Sequence, residues 1–183
     1  MAGLAELTIA SPVGALRLVA SDAGLRAVLW PGDDARRVPL DAEPQLAPAH
    51  PVLAATAAQL GEYFDGSRQR FDIALDVTGT EFQLAVWRWL DQIPVGTTAT
   101  YRSCAHSIGR PGAARAVGAA NARNPLSIVW PCHRLVGGDG SLRGFAGGLQ
   151  AKSFLLAHER TLASAAAGRA CAPDRACAAD IGA

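Results

Sequence analysis

The sequence predicts an α/β N-terminal unit, a small antiparallel sheet with one helix, followed by a mostly α C-terminal unit that carries a helix-turn-helix. Three observations support this. Short apolar runs near the N-terminus are split by turn signals, residues 52–64 repeat apolar side chains at helical spacing, and two short helical segments further on meet through Gly109-Arg110-Pro111-Gly112.

Residues 7–9, 15–19 and 26–30 read as the strands of a β-meander, with turns at Ser11-Pro12-Val13-Gly14 and Ser21-Asp22-Ala23-Gly24. Residues 31–51 are rich in Pro and Asp and lack a period, which predicts a long loop. Leu53, Ala57, Leu60 and Phe64 share a helical face ended by Gly66. Phe71, Ile73, Leu75 and Val77 alternate with Asp72, Ala74 and Asp76, the pattern of a half-buried strand. Thr78-Gly79-Thr80 marks a boundary, which sets the units at 1–78 and 79–162. Phe82, Val86, Trp89, Leu90 and Ile93 then line one helical face, stopped by Pro94-Val95-Gly96. Residues 101–108 and 113–122 are the two helices around the glycine connection, and residues 126–130 predict a short apolar strand. Arg143-Gly-Phe-Ala-Gly-Gly148 is a glycine-rich loop without the Gly-Lys-Ser/Thr ending of a phosphate cradle. Residues 150–160 form the last helix, with Phe154, Leu155 and Leu156 inward. The tail, 163–183, has no core pattern and is expected to be disordered or loosely helical.

With 183 residues, 50% hydrophobic and 18% charged, the chain can bury one ample core or two small ones. No apolar run approaches the ~20 residues of a membrane span, and the start Met1-Ala-Gly-Leu-Ala-Glu6 lacks a basic, apolar leader, so a cytoplasmic location is the default. Cys104, Cys132, Cys171 and Cys177 are irregularly spaced, which argues against a disulfide framework and against structural zinc. The net charge of +1 hides an asymmetry: residues 1–78 hold six Arg and ten Asp/Glu, whereas residues 79–160 hold nine Lys/Arg and four Asp/Glu. The second unit is the face for a polyanion, or simply a solvated basic surface.

Pro131-Cys132-His133-Arg134 sets a nucleophile, a base and a cation behind a residue that fixes φ near about −65°. A free thiol has a pKa of ~8.5, and a neighbouring imidazole or helix N-terminus lowers it. Taken alone, the pair is also compatible with a small buried hydrophobe beside a hydrogen-bonded histidine. Residues 113–121 are nearly all small, so another surface can approach that helix closely, and Arg115 is its long outer side chain. A tight helix crossing and a DNA groove both satisfy this composition.

The run from Asn124 to Arg134, preceded by Ala114-Arg-Ala-Val-Gly118 and followed by Gly144-Phe-Ala-Gly-Gly148, resembles the O6-alkylguanine-DNA alkyltransferases, the methylated-DNA–protein-cysteine methyltransferases. The resemblance covers residues 79 to about 160 closely, and Tyr63-Phe64 with residues 71–77 fits the family's more variable first domain. It implies a ribonuclease-H-like N-terminal domain and a winged-helix-like C-terminal domain. It also implies DNA repair by stoichiometric, irreversible transfer of an alkyl group from O6-alkylguanine, and from O4-alkylthymine, to Cys132. In that setting His133 takes the thiol proton through a water, Glu159 orients and polarises the imidazole, and Asn124 ties the turn to the helical motif. Adjacent residues on an extended strand point apart, so a turn or a bridging water between Cys132 and His133 is physically needed. Tyr101 matches the proton donor to the leaving base, and Arg115 the arginine that fills the gap left by the flipped nucleotide. Phe145 stands where the family usually has a tyrosine, so stacking is kept and a hydroxyl is lost. The carbonyls of Cys132 and Leu135 and the amide of Ala146 would read the guanine edge, with Ala114, Gly118 and Arg123 among the DNA-contacting residues.

The implied partner is lesion-containing double-stranded DNA, bound through the minor groove by a monomer, with clustering on DNA left open. Neither a cofactor nor a metal is implied, and no membrane. Trp130 is bulkier than the usual aliphatic residue and either narrows the pocket or fills core. Cys171 and Cys177 have no family counterpart, and Cys104 reads as core. The competing readings are a lesion sensor without transfer, in which the reactive cysteine is replaced, a winged helix-turn-helix regulator and a thiol hydrolase.

Overall fold

The computed structural model describes residues 3–170, so Cys171, Cys177 and positions 171–183 of the expected tail lie outside it. Strands β1 (Ala5–Ile9), β2 (Leu16–Ser21) and β3 (Gly24–Leu29) form the antiparallel meander. A two-residue strand β4 (Gln45–Leu46), inside the segment expected to be all loop, adds parallel to β1 and gives the order β3-β2-β1-β4. Alternation in β2 sends Leu16, Leu18 and Ala20 into the main core, while Val19 pairs with Ala27 on the other face beneath Val38 and Leu40 of the loop. Helix α1 (Pro51–Asp65) covers the main face with Leu53, Thr56, Leu60 and Tyr63. Proline at its first position costs no hydrogen bond, and Gly66 at φ 92 closes its end in the left-handed conformation.

Two expected strands are absent. Residues 71–77 run extended along β3 but touch it only around Leu25, which bridges Leu75, and Leu75 remains 40% exposed. Their alternation is real; no neighbouring strand continues the ladder. Residues 126–130 are buried on every side and fold into a tight turn, closed by the Trp130 N–H to the Leu126 carbonyl at 2.7 Å. Period cannot distinguish such a turn from a strand when all its side chains are buried.

The second unit begins at helix α2 (Glu81–Leu90), whose Thr80 and Gln83 form a reciprocal capping box. Helices α3 (Tyr101–Ser107) and α4 (Ala114–Ala122) make the helix-turn-helix. Trp87 of α2 donates its indole N–H to the Ala120 carbonyl of α4 at 2.9 Å and stacks on Trp130 at 5.8 Å between ring centroids. Trp130 thus fills core. Strands β5 (Ala99–Thr100) and β6 (Leu135–Val136) pair in parallel, which joins the start of α3 to the chain just after Cys132. Helix α5 (Gly148–Ala170) continues past residue 162, through the first part of the expected tail. It buries Ala151, Lys152, Leu155, Glu159 and Leu162. Phe154, expected inward, lies off that stripe, is 39% exposed and stacks on His158.

Candidate active site

Cys132 opens a single turn of 3-10 helix, Cys132–Arg134, entered through Pro131. This is a turn rather than the extended strand that would point the adjacent cysteine and histidine apart. Asn124 sets the approach: its Nδ2 donates to the Trp130 carbonyl at 2.8 Å and its Oδ1 accepts the Leu126 N–H at 3.1 Å. Between them Ile128 sits at φ 74, a conformation that costs a β-branched residue about 1–3 kcal/mol. Burial of Ile128 and the two bonds of Asn124 hold it there. Arg37, from the long loop, donates to the Asn124 carbonyl and pairs with Asp33.

Behind the cysteine lies a buried ionic network. Glu159 Oε1 accepts from His133 Nε2 at 2.8 Å, Tyr63 Oη at 2.9 Å and Arg134 Nη2 at 2.8 Å, and Oε2 accepts from Arg134 Nε at 2.8 Å. Burial pushes the Glu159 carboxyl up, but the hydrogen bonds and charges of His133 and Arg134 outweigh it and hold the group far below the usual carboxylate range. Against a carboxylate, Nε2 carries the imidazole proton and Nδ1 is left as the acceptor. Nδ1 is buried and has no hydrogen-bond partner among the described residues. Burial lowers the His133 pKa, with Glu159 opposing, so the ring is neutral at neutral pH. Burial pushes the Cys132 thiol up, while Asn124, Arg37, Lys152 and Ser127 act the other way. The resting Cys132 side chain is therefore a thiol rather than a thiolate. Cys104, by contrast, is a core thiol that burial pushes up to about 12.

Cys132 faces a cavity of about 720 Å³ walled by Ala114, Arg115 and Gly118 of α4, Tyr101 of α3 and Phe145 of the glycine loop. Burial and the nearby Cys132 keep the Tyr101 hydroxyl protonated by raising its pKa. Phe145 stands edge-on to Trp30, at 5.3 Å and 68°. Gly147 makes that closure possible, because a Cβ there would lie 2.6 Å from the Trp30 ring. A larger recess, about 970 Å³, lies under residues 31–44; Trp30 lines it, whereas Cys132, Tyr101, Arg115 and Phe145 do not.

Asn124 and Ala146 also line the Cys132 cavity, whereas His133 and Glu159 stand behind it. The Leu135 carbonyl accepts from Lys152 Nζ at 2.6 Å and the Cys132 carbonyl from the Leu135 N–H; Cys132 lines the cavity, and Leu135 does not. Arg123 is not brought to this cavity: α4 ends at Ala122, and Arg123 turns into a separate cleft with Arg26 and Trp87. Sequence reasoning missed Tyr63, Arg37 and Lys152 as site residues. Lys152 Nζ also donates to the Arg143 carbonyl at 2.8 Å, tying β6 to the glycine loop. That it is the chain's single lysine was the one available signal.

Fold and site define a class: a two-domain protein with a helix-turn-helix beside a reaction cavity built on one buried cysteine. Residues 4–77 match the ribonuclease-like domain of 6-O-methylguanine DNA methyltransferase, and residues 81–161 match its DNA-binding domain. The methylated-DNA–protein-cysteine methyltransferase of Methanosarcina barkeri is 43% identical over 149 residues, 81% of this chain and 92% of that one. That of Mycolicibacterium paratuberculosis is 54% identical over 109 residues, 60% of this chain and 66% of its own. The crystal structure of Mycobacterium tuberculosis OGT in complex with DNA has a TM-score of 0.74 at 39% identity, covering 85% of this chain and 92% of that one. The chain belongs to the methylated-DNA–protein-cysteine methyltransferase family.

Proposed function

We propose that the protein repairs duplex DNA by moving the alkyl group of O6-alkylguanine, and of O4-alkylthymine, to Cys132 Sγ once per molecule. Attack forms a C–S bond at the alkyl carbon and breaks that carbon's bond to the base oxygen. The thiol proton passes through a bridging water to His133 Nδ1, whose lone pair the Glu159 contact leaves available. A proton reaches the departing base from Tyr101 Oη, which is then restored from solvent. The sum is one alkyl group exchanged for one proton, with no cofactor in the balance. Acid and base assistance of this kind contributes about 10²–10⁴-fold each. Regenerating the thiol would require expelling a thiolate from an unactivated thioether, a poor leaving group, so turnover stops after one event.

Access requires the nucleotide to leave the stack. Exposed Arg115 on α4 would occupy the space it vacates, Phe145 would stack on the flipped base, and the basic second unit would track phosphates. Minor-groove contact reads little sequence, which suits a search for lesions anywhere. One observation supports this reading most: a single thiol at the floor of a nucleotide-sized cavity, backed by a neutral histidine with a free acceptor. Incubation with an O6-methylguanine duplex should raise the intact mass by one methylene. Tight lesion binding with unchanged mass would favour a sensor.

A further inference from the structure

We infer that Tyr63, on α1 of the N-terminal domain, is a positioning residue for alkyl transfer whose hydroxyl sets how strongly Glu159 draws on His133. This role presupposes that Cys132 is the alkyl acceptor and His133 its base. Tyr63 is 1% exposed and lies 96 residues before Glu159, yet its Oη is 2.9 Å from Oε1, the same oxygen that His133 Nε2 meets at 2.8 Å. The residue is clamped at both ends to α5: its hydroxyl meets Glu159, and its carbonyl accepts from His158 Nε2 at 2.8 Å. Phe64, Phe71 and His158 pack around its ring, so the hydroxyl has one direction open to it.

Facing a carboxylate oxygen, the phenol can only donate. Every donor on Oε1 spreads its negative charge and weakens its pull on the imidazole. The charged and titratable groups around the His133–Glu159 pair are Cys132 and Arg134 on the 3-10 turn, Lys152 on α5 and Tyr63 on α1. The positive charges of Arg134 and Lys152 oppose protonation of His133. Tyr63 acts in the same direction without a charge, and burial and Glu159 raise its own pKa so that it stays a donor. Loss of the hydroxyl leaves Glu159 a stronger acceptor, favours the imidazolium, and removes the Nδ1 lone pair at a pH where the intact protein still has it.

The test is single-turnover methyl transfer from an O6-methylguanine duplex, followed across pH for the intact chain and for Tyr63→Phe. The acid limb of the rate should move up by about half to one pH unit, which below the limb is a rate about 3- to 10-fold lower, with duplex affinity and the alkaline plateau little changed. An unmoved limb overturns the role, even if Tyr63→Phe lowers the melting temperature, since packing alone would do that. Site-specific 3-fluorotyrosine at position 63 keeps the ring and strengthens the donor, so the limb should move down; a limb that stays put or rises overturns the role independently of stability. If the intact chain transfers nothing at any pH, it is the assignment of Cys132 that fails.

Discussion

Replacing Glu159 by glutamine keeps the side chain's size and removes one buried charge. Both oxygens of Glu159 meet only donors: His133, Tyr63 and Arg134 on Oε1, Arg134 and, at 3.4 Å, the Gly96 N–H on Oε2. Either orientation of the new amide therefore sets an N–H against a donor. Arg134, 6% exposed, keeps its charge and loses its counter-ion, and breaking a buried pair in this way costs about 3–5 kcal/mol. An amide N–H facing Nε2 also moves the imidazole proton to Nδ1, which abolishes the acceptor that Cys132 needs. A misplaced tautomer or lost base lowers a rate by about 10²–10⁴-fold. Rapid-quench measurement of methyl transfer with protein in excess should show that loss, and urea unfolding should show the fall in stability. A transfer rate within about threefold of the intact protein, with stability unchanged, would refute the relay.

Three further outcomes are expected. Arg115→Ala, on an exposed face of α4, should weaken lesion binding by about tenfold while leaving the melting temperature within a degree or so, as calorimetry would show. Because the folded-state pKa values of His133 and Glu159 are both depressed, their contribution to stability is present above their unfolded values; it should fall as pH drops below about 6.5 for His133 and again below about 4.3 for Glu159, seen as a declining melting temperature. Gly147→Ala should slow transfer without abolishing duplex binding, because the new methyl group meets the Trp30 ring and lifts the loop bearing Phe145; an unaltered rate would show that loop closure is not needed.

Much of the fold is legible in the sequence where turn signals or a wet face report the element. The meander declares itself because its short apolar runs are split by turns, α1 because its apolar positions repeat at helical spacing, and Gly66 stands where the left-handed cap needs it. Residues 126–130 mislead for the opposite reason: with every side chain buried, no wet face reports the backbone, and the positive φ at Ile128 leaves no trace in residue type. The cysteine and histidine are legible as neighbours. Glu159 enters only through family resemblance, and Tyr63 and Lys152 are invisible as site residues, because a buried polar group is defined by partners brought from 17 to 96 residues away. Arg123 shows that closeness to the motif in sequence does not place a residue in the cavity, since the end of α4 turns it toward a separate cleft.

The most direct measurement counts and locates the transferred group. After exposure to a duplex carrying radiolabelled O6-methylguanine, label should plateau at one equivalent per protein molecule, all of it on the tryptic peptide 124–134 and, within it, on Cys132. Label beyond one equivalent, label on Cys104, or none at all would contradict single-use transfer to Cys132.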